Sequence, residues 1–145
     1  MRVFPSSDVE RAVARFAATR LEVAAAYIFG SVASGRTRRD SDVDVAVLLA
    51  RPSTSNHSLR YRLKLMGDLG SALRRSDVDV VVLNDASPLL AQRILTTGKL
   101  VFERSASARV RFQVSTAGRY ADLIPMYETH IRYLKRHARR RRIVG

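Results

Sequence analysis

The chain has 145 residues, of which 46% are hydrophobic, enough to form the core of one ordinary domain. It contains no cysteine, which excludes disulfides and cysteine-based zinc sites. Its 26 Lys and Arg against 13 Asp and Glu give a formal net charge of +13, and such a surface attracts nucleotides, RNA or an acidic partner protein.

The N-terminal segment contains no targeting signal that we can identify. Asp8, Glu10 and two arginines stand where a signal peptide needs an apolar segment, and no apolar run approaches the length of a membrane span. We therefore expect a cytoplasmic protein. No linker or internal repeat divides the sequence, so we expect a single domain over residues 1–145.

The first predicted element is a helix over about residues 7–20. Ser7 and Glu10 form a capping box, and apolar residues follow at helical spacing. Residues 22–29 are mostly apolar and predict a strand that leads directly into a Gly-Ser pair.

The next predicted strand, residues 43–50, begins with two carboxylates. Asp42 and Asp44 alternate with valines, so they share one face of the strand. They repel each other unless a cation lies between them, and Mg²⁺ prefers carboxylate oxygens together with substrate phosphates. Gly30 lets the backbone pass close to a phosphate, and Ser31 offers it an N–H and a hydroxyl. The stretch predicts a site for a nucleotide and a divalent metal, the alternative being a solvated hairpin.

A third carboxylate is expected on the following strand. An amphipathic helix over about 57–75 precedes this strand, which covers residues 76–83 and is rich in β-branched residues. Asp77 and Asp79 share one of its faces, but Asp79 lies deeper, where a carboxylate is costly without a partner. We therefore favour Asp79 over Asp77 as a metal ligand close to the attacking hydroxyl.

The last part of the predicted sheet follows a short helix. Pro88 opens this helix and Gly98 closes it, and a fourth strand covers residues 100–103. The order α-β-β-α-β-α-β predicts an α/β (α+β) fold, with a small mixed β-sheet and helices packed on one face.

The C-terminal segment predicts helices over about 106–140. One interpretation, which we favour, is a pair of helices or one helix kinked at Pro125 that closes the domain's own core; the other is a helix face offered to a partner. The basic run at 135–142 is either a solvated end or a weak contact for an anionic surface such as nucleic acid. The apolar residues of this segment are Val110, Val114, Ala117, Ala121, Ile124, Tyr127, Ile131, Leu134 and Ala138.

A family resemblance rests on the Gly-Ser pair, the Asp-Val-Asp segment and Asp79, in that order. They resemble the catalytic motif of the minimal nucleotidyltransferases of the DNA polymerase β-like superfamily. Within it, the chain is most similar to the MNT antitoxin that pairs with a HEPN ribonuclease toxin. Residues 78–88 and the apolar pattern after them resemble the strand, loop, helix and strand that follow the catalytic motif in that family. The similarity covers about residues 20–104, the expected catalytic core of a nucleotidyltransferase fold.

The resemblance implies a protein adenylyltransferase that transfers AMP from ATP to a tyrosine of a HEPN toxin. Gly30 and Ser31 would bind the triphosphate. Asp42, Asp44 and Asp79 would bind two Mg²⁺ ions as the catalytic carboxylates. Asp79 would also help to deprotonate the tyrosine hydroxyl.

Two other functions are weighed against this one. A binding-only antitoxin would neutralise the toxin without catalysis, but a binding scaffold has no physical need for costly clustered carboxylates. A small-molecule nucleotidyltransferase, such as those that inactivate aminoglycosides, would act on polycations, which a surface with a net charge of +13 repels.

Overall fold

The computed structural model describes residues 1–3, 7–30, 42–51 and 58–144. Seven predicted elements, from the first helix to the last strand, are observed with ends within about two residues of the prediction. A short first strand was not predicted. The elements are β1 (Arg2–Val3), α1 (Asp8–Thr19), β2 (Val23–Phe29), β3 (Val43–Leu49), α2 (Ser58–Leu73), β4 (Val78–Val82), α3 (Pro88–Thr97), β5 (Lys99–Glu103) and α4 (Ala106–Val144).

The strands form one mixed sheet, as predicted. Its order is β1-β5-β2-β3-β4, and β3 and β4 run parallel while the other neighbours are antiparallel. A parallel pair requires a crossover connection, which α2 provides between β3 and β4. The crossover places β4 at one edge of the described sheet, directly beside the strand that carries Asp44.

Helices cover both faces of the sheet, so the predicted packing on one face is wrong. α1 and α2 pack against alternate strand residues such as Val45 and Val80. α3 and the start of α4 pack against the intervening residues, which include Tyr27 and Leu48. The physical reason is visible in β3, where residues 45–49 are all apolar and all buried, because a strand that is apolar on both sides must be covered on both.

The ends of α1 are fixed by side chains. The Ser7 hydroxyl accepts a hydrogen bond from the Glu10 backbone N–H at 3.2 Å, which confirms the predicted cap. At the other end, the Arg104 guanidinium donates to the carbonyls of Ala17 and Ala18, at 3.2 and 3.0 Å. Because the last carbonyls of a helix have no partner within it, Arg104 ties α1 to the end of β5.

The C-terminal segment is a single helix of 39 residues with Pro125 inside it. Its first turns pack on the sheet through Ala108 and Phe112. Val110 and Val114, which were expected in the core, are 46% and 69% exposed. The core-closing interpretation is therefore correct only for the start of α4 and wrong for the rest. Neither α4 nor any other helix in the described ranges is long and apolar enough to cross a membrane.

Candidate functional site

Two of the predicted carboxylates lie side by side on neighbouring parallel strands. Asp44 of β3 and Asp79 of β4 are direct partners in the strand register. Val43 and Val45 point into the α1–α2 side of the core, so Asp44 points to the face that α3 and α4 cover. This is the separation of carboxylates from valines that the alternation predicted. Parallel pairing of β3 with β4 thus brings together two carboxylates that are 35 residues apart in sequence.

The backbone turns directly above the Asp44 carboxylate. Gly30 follows β2, whose last residue, Phe29, is paired with Asp44. Gly30 has a φ of +75°, and a Cβ built on it would lie 2.5 Å from Asp44 Oδ2. Only glycine fits this left-handed turn and this close approach. The turn therefore leaves space next to Asp44 into which a phosphate can come close to the backbone.

The electrostatics of Asp44 are unfavourable for a carboxylate without a cation. Burial raises the pKa of Asp44 above its ordinary value, and the negative charges of Asp79 and Asp42 raise it further. Asp42 is exposed at the start of β3. A divalent cation at this position would relieve the repulsion among the three carboxylates.

Arginines pair with Asp79 of β4 and with Asp77, which directly precedes this strand. Arg62 of α2 donates to Asp79 Oδ1 at 3.0 Å and, through Nε, to the Val80 carbonyl at 2.6 Å. Arg75 binds both oxygens of Asp77, at 2.8 and 2.6 Å, and this pairing lowers the pKa of Asp77. Both aspartates therefore have an arginine partner, but Asp79 also lies opposite Asp44 in the strand register, an arrangement that favours Asp79 as the third site carboxylate.

The donor atoms fit a hard divalent cation, although their present placement does not form a complete metal site. In the described ranges, no group of three or more carboxylate, imidazole or thiol side chains is arranged to hold a metal ion. Asp79 is paired with Arg62 instead, so metal binding would require its carboxylate to leave or share that pair. Carboxylate oxygens on adjacent strands beside a glycine turn are the chemistry that Mg²⁺ prefers.

A cavity of about 450 Å³ opens next to Asp44. Its walls are Phe29, Gly30 and Asp44 on the sheet side and residues of α3, including Arg93 and Thr97, on the other. This volume lies within the range of small-molecule sites. Arg93 adds a positive charge to a cavity whose sheet side carries a carboxylate, which suits a phosphate-bearing ligand.

A second cavity of about 400 Å³ lies on the β4 side. It is lined by Arg62, by Val81 and Asp85, and by Leu90, which also lines the first cavity. The two cavities therefore meet at α3. Leu90 of α3 is part of the wall of both cavities.

Sequence reasoning missed Arg62 and Arg93. Arginine is so frequent in this chain that nothing in its spacing marks these two, and only the crossover of α2 and the packing of α3 bring them to the site. Ser31, the other predicted phosphate-binding residue, lies outside the described residues.

Sequence comparisons match this chain to a protein family and to a curated relative. Residues 12–107 match the family model described as polymerase beta, nucleotidyltransferase. The protein adenylyltransferase MntA of Shewanella oneidensis (strain MR-1) is 39% identical over 97 residues. That match covers 67% of this chain and 66% of the length of MntA.

Structural comparisons agree with the sequence. A chain from a crystal structure of a toxin–antitoxin with AMP-PNP has a TM-score of 0.73 and 30% identity, and the match covers 87% of this chain and 98% of that one. A chain from a structure of tri-AMPylated S. oneidensis HEPN toxin in complex with MNT antitoxin has a TM-score of 0.68 and 27% identity, covering 88% and 96%. The resemblance inferred from the motif is confirmed, and the chain belongs to the polymerase beta nucleotidyltransferase family.

Proposed function

We propose that this chain is an antitoxin that acts as a protein adenylyltransferase and transfers AMP from ATP to a tyrosine of a cognate HEPN toxin. The observation that carries the proposal is the position of Asp44, which lines a cavity of about 450 Å³ and is the direct strand partner of Asp79. The 39% identity to an adenylyltransferase and the fold shared with toxin–antitoxin structures support the choice of acceptor.

ATP would bind on the Gly30 side of the site. The triphosphate would lie against the backbone at Gly30 and Ser31, and Arg93 would neutralise part of its charge from α3. Asp42, Asp44 and Asp79 would hold two Mg²⁺ ions. When bound, these ions neutralise the charge that develops on the phosphoryl oxygens and on the leaving group.

The acceptor tyrosine would approach from the β4 side. Its hydroxyl oxygen attacks the α-phosphorus in line, the bond from this phosphorus to the bridging oxygen breaks, and pyrophosphate leaves with the electron pair. The phenol proton passes to the Asp79 carboxylate. Arg62 orients this carboxylate through its paired contacts with Asp79 Oδ1 and the Val80 carbonyl. The product is a tyrosine phosphodiester that carries bulk and negative charge.

The experiment that separates an enzyme from a binding-only antitoxin uses Asp79 of β4 and Asp77, which directly precedes this strand. A candidate cognate HEPN toxin is incubated with wild type, Asp79→Asn or Asp77→Asn in the presence of ATP and Mg²⁺. The toxin is then separated from the antitoxin under denaturing conditions, refolded and assayed for ribonuclease activity.

We expect toxin treated with wild type or Asp77→Asn to stay inactive and to carry AMP on tyrosine. Toxin treated with Asp79→Asn should regain full activity, because Asp79 lies opposite Asp44 in the strand register, whereas Asp77 precedes the paired residues and has both oxygens bound by Arg75. Toxin that is inhibited in the mixture but is unmodified and fully active after separation from wild type would support the binding-only function instead.

A further inference from the structure

Asp79 differs from the other two site carboxylates in having a positive charge of the chain beside it. The guanidinium of Arg62 forms an ion pair with Asp79, with 3.0 Å between the terminal nitrogen and Oδ1. No basic side chain in the described ranges forms an ion pair with Asp42 or Asp44. Any cation that binds between the strands must therefore bind in the presence of Arg62.

Arg62 is held by the backbone as well as by this carboxylate. Its Nε donates to the Val80 carbonyl at 2.6 Å. β4 is an edge strand of the described sheet, where outward-facing carbonyls have no strand partner, and the side chain of Val80 is buried against α1 and α2. The contact with Val80 fixes the guanidinium at the edge of β4 independently of the position of the Asp79 carboxylate.

One oxygen of Asp79 is left for another ligand. Among the described residues, Asp79 accepts a hydrogen bond only from Arg62, and only at Oδ1. The two side chains are 42% and 48% exposed, so a ligand can reach the pair from solvent. Because a carboxylate has acceptor sites on both oxygens, Arg62 and a metal ion can share Asp79. Two positive charges would then lie on the same carboxylate.

The cost of this sharing depends on the total charge at the site. Arg62, together with Arg93 in the cavity wall, offsets two of the three carboxylate charges. A free divalent cation would find little net negative charge there, and Arg62 would repel it. A triphosphate reverses this balance through its own negative charges, so that Arg62 attracts the metal–nucleotide complex as a whole.

We propose that Arg62 makes metal binding conditional on nucleotide: it weakens the binding of a free divalent cation and strengthens the binding of the metal–triphosphate complex. The inference rests on the proposed function for the identity of the ligand, and it assigns a regulation of the same site. Arg62 is thus a positioning residue whose charge has two effects of opposite sign. A role in folding alone would change both kinds of binding in the same direction.

The test uses one substitution that removes the charge and three comparison variants. R62Q removes the charge but keeps an amide that can donate to the Val80 carbonyl, whereas R62K keeps the charge. R60Q removes an exposed charge from the same helix, about 200° around its axis from Arg62. D44N identifies the signal from this site, because Mn²⁺ that binds elsewhere on the protein is still bound in D44N.

Both kinds of binding are measured on the protein without toxin. The affinity for free Mn²⁺ is measured by electron paramagnetic resonance of the unbound ion at low ionic strength. The affinity for the preformed complex of Mn²⁺ with AMP-PNP, an ATP analogue, is measured by isothermal titration calorimetry. Circular dichroism verifies that each variant is folded.

We expect R62Q to bind free Mn²⁺ about tenfold more tightly than wild type, the effect of removing one positive charge about 6 Å from a divalent ion in water. Added salt should reduce this gain. R62Q should bind the Mn²⁺–AMP-PNP complex no more tightly than wild type. R62K and R60Q should stay within about threefold of wild type in both measurements, because the first keeps the charge and the second changes an exposed, screened one.

Four results would overturn the proposal. They are a free Mn²⁺ affinity of R62Q within about threefold of wild type, no detectable binding of Mn²⁺ by R62Q, a gain of R62Q in both measurements, and a gain in R62K or R60Q equal to that in R62Q.

These measurements separate the inference from the proposed function. Wild type and R62Q that bind Mn²⁺ and its AMP-PNP complex as expected, with no AMP transfer to a HEPN toxin, would contradict the enzymatic proposal and leave the role of Arg62 in place. AMP transfer by wild type, together with equal free Mn²⁺ affinities in wild type and R62Q, would contradict this inference alone.

Discussion

The two faces of the sheet differ in what covers them. On one face, α1 and α2 seal a layer of valines and leucines that includes Leu65, Leu69 and Val80. On the other face, α3 and the start of α4 cover a second apolar cluster that includes Tyr27 and Ala46, and they leave Asp44 beside a cavity. The sealed face gains stability from apolar burial, and this gain offsets the cost of holding repelling carboxylates on the open face.

The largest effect is expected on the open face. Asp44→Asn should lower AMP transfer at least about a thousandfold, because the site loses a carboxylate where charge develops in the transition state. Without metal, the melting temperature of Asp44→Asn should equal or exceed that of wild type, because the substitution removes the repulsion between residue 44 and the carboxylates of Asp79 and Asp42. Transfer rates and thermal melts on the same samples check both. Full activity in folded Asp44→Asn would remove Asp44 from the site.

On the sealed face, a substitution should lower stability and leave AMP transfer unchanged. Leu69 is 1% exposed, and Leu69→Ala should lower the free energy of unfolding by about 2–5 kcal/mol, because it removes buried methyl groups and leaves a cavity. Leu63, on the same helix but 57% exposed, is the control, and Leu63→Ala should change the free energy by less than about 0.5 kcal/mol. Urea unfolding measures both. The folded fraction of Leu69→Ala should retain normal transfer, and a loss of kcat there would contradict the separation of the two faces.

A smaller effect is expected at the turn above Asp44. Gly30→Ala should cost about 1–2 kcal/mol of stability for the left-handed φ, and its Cβ should displace the Asp44 carboxylate and lower kcat. Gly67→Ala is the matched control, because Gly67 lies in α2 with nothing within 4 Å of an added Cβ. That change should slightly stabilise the protein. Denaturant melts and initial rates compare the two, and a Gly30→Ala variant with normal kcat would show that the Asp44 carboxylate tolerates displacement.

The strands and the motif were predictable from sequence because both leave a periodic or spaced pattern. The alternation after Asp42 correctly separated carboxylates from valines, and the preference for Asp79 over Asp77 agrees with the register opposite Asp44. The roles of these residues, and of Gly30, stay predictions until they are tested.

What the sequence did not predict depends on tertiary packing. Apolar residues on both sides of β3 required helices on both faces, but the pattern could not say which helix covers which face. The covered side of α4 was assigned to Val110 and Val114, whereas packing on the sheet uses Phe112. More than one side of this helix carries apolar residues. The point at which β5 ends determines which of these sides packs on the sheet.

The central claim is that the open face is a metal-dependent site for AMP transfer. The most direct test is the intact mass of a candidate cognate HEPN toxin after incubation with wild type and ATP, in Mg²⁺ and in EDTA. We predict a toxin heavier by whole AMP units, attached to tyrosine, in Mg²⁺, and an unchanged mass in EDTA or with Asp44→Asn. An unchanged mass in Mg²⁺, or equal modification in EDTA, would contradict the claim.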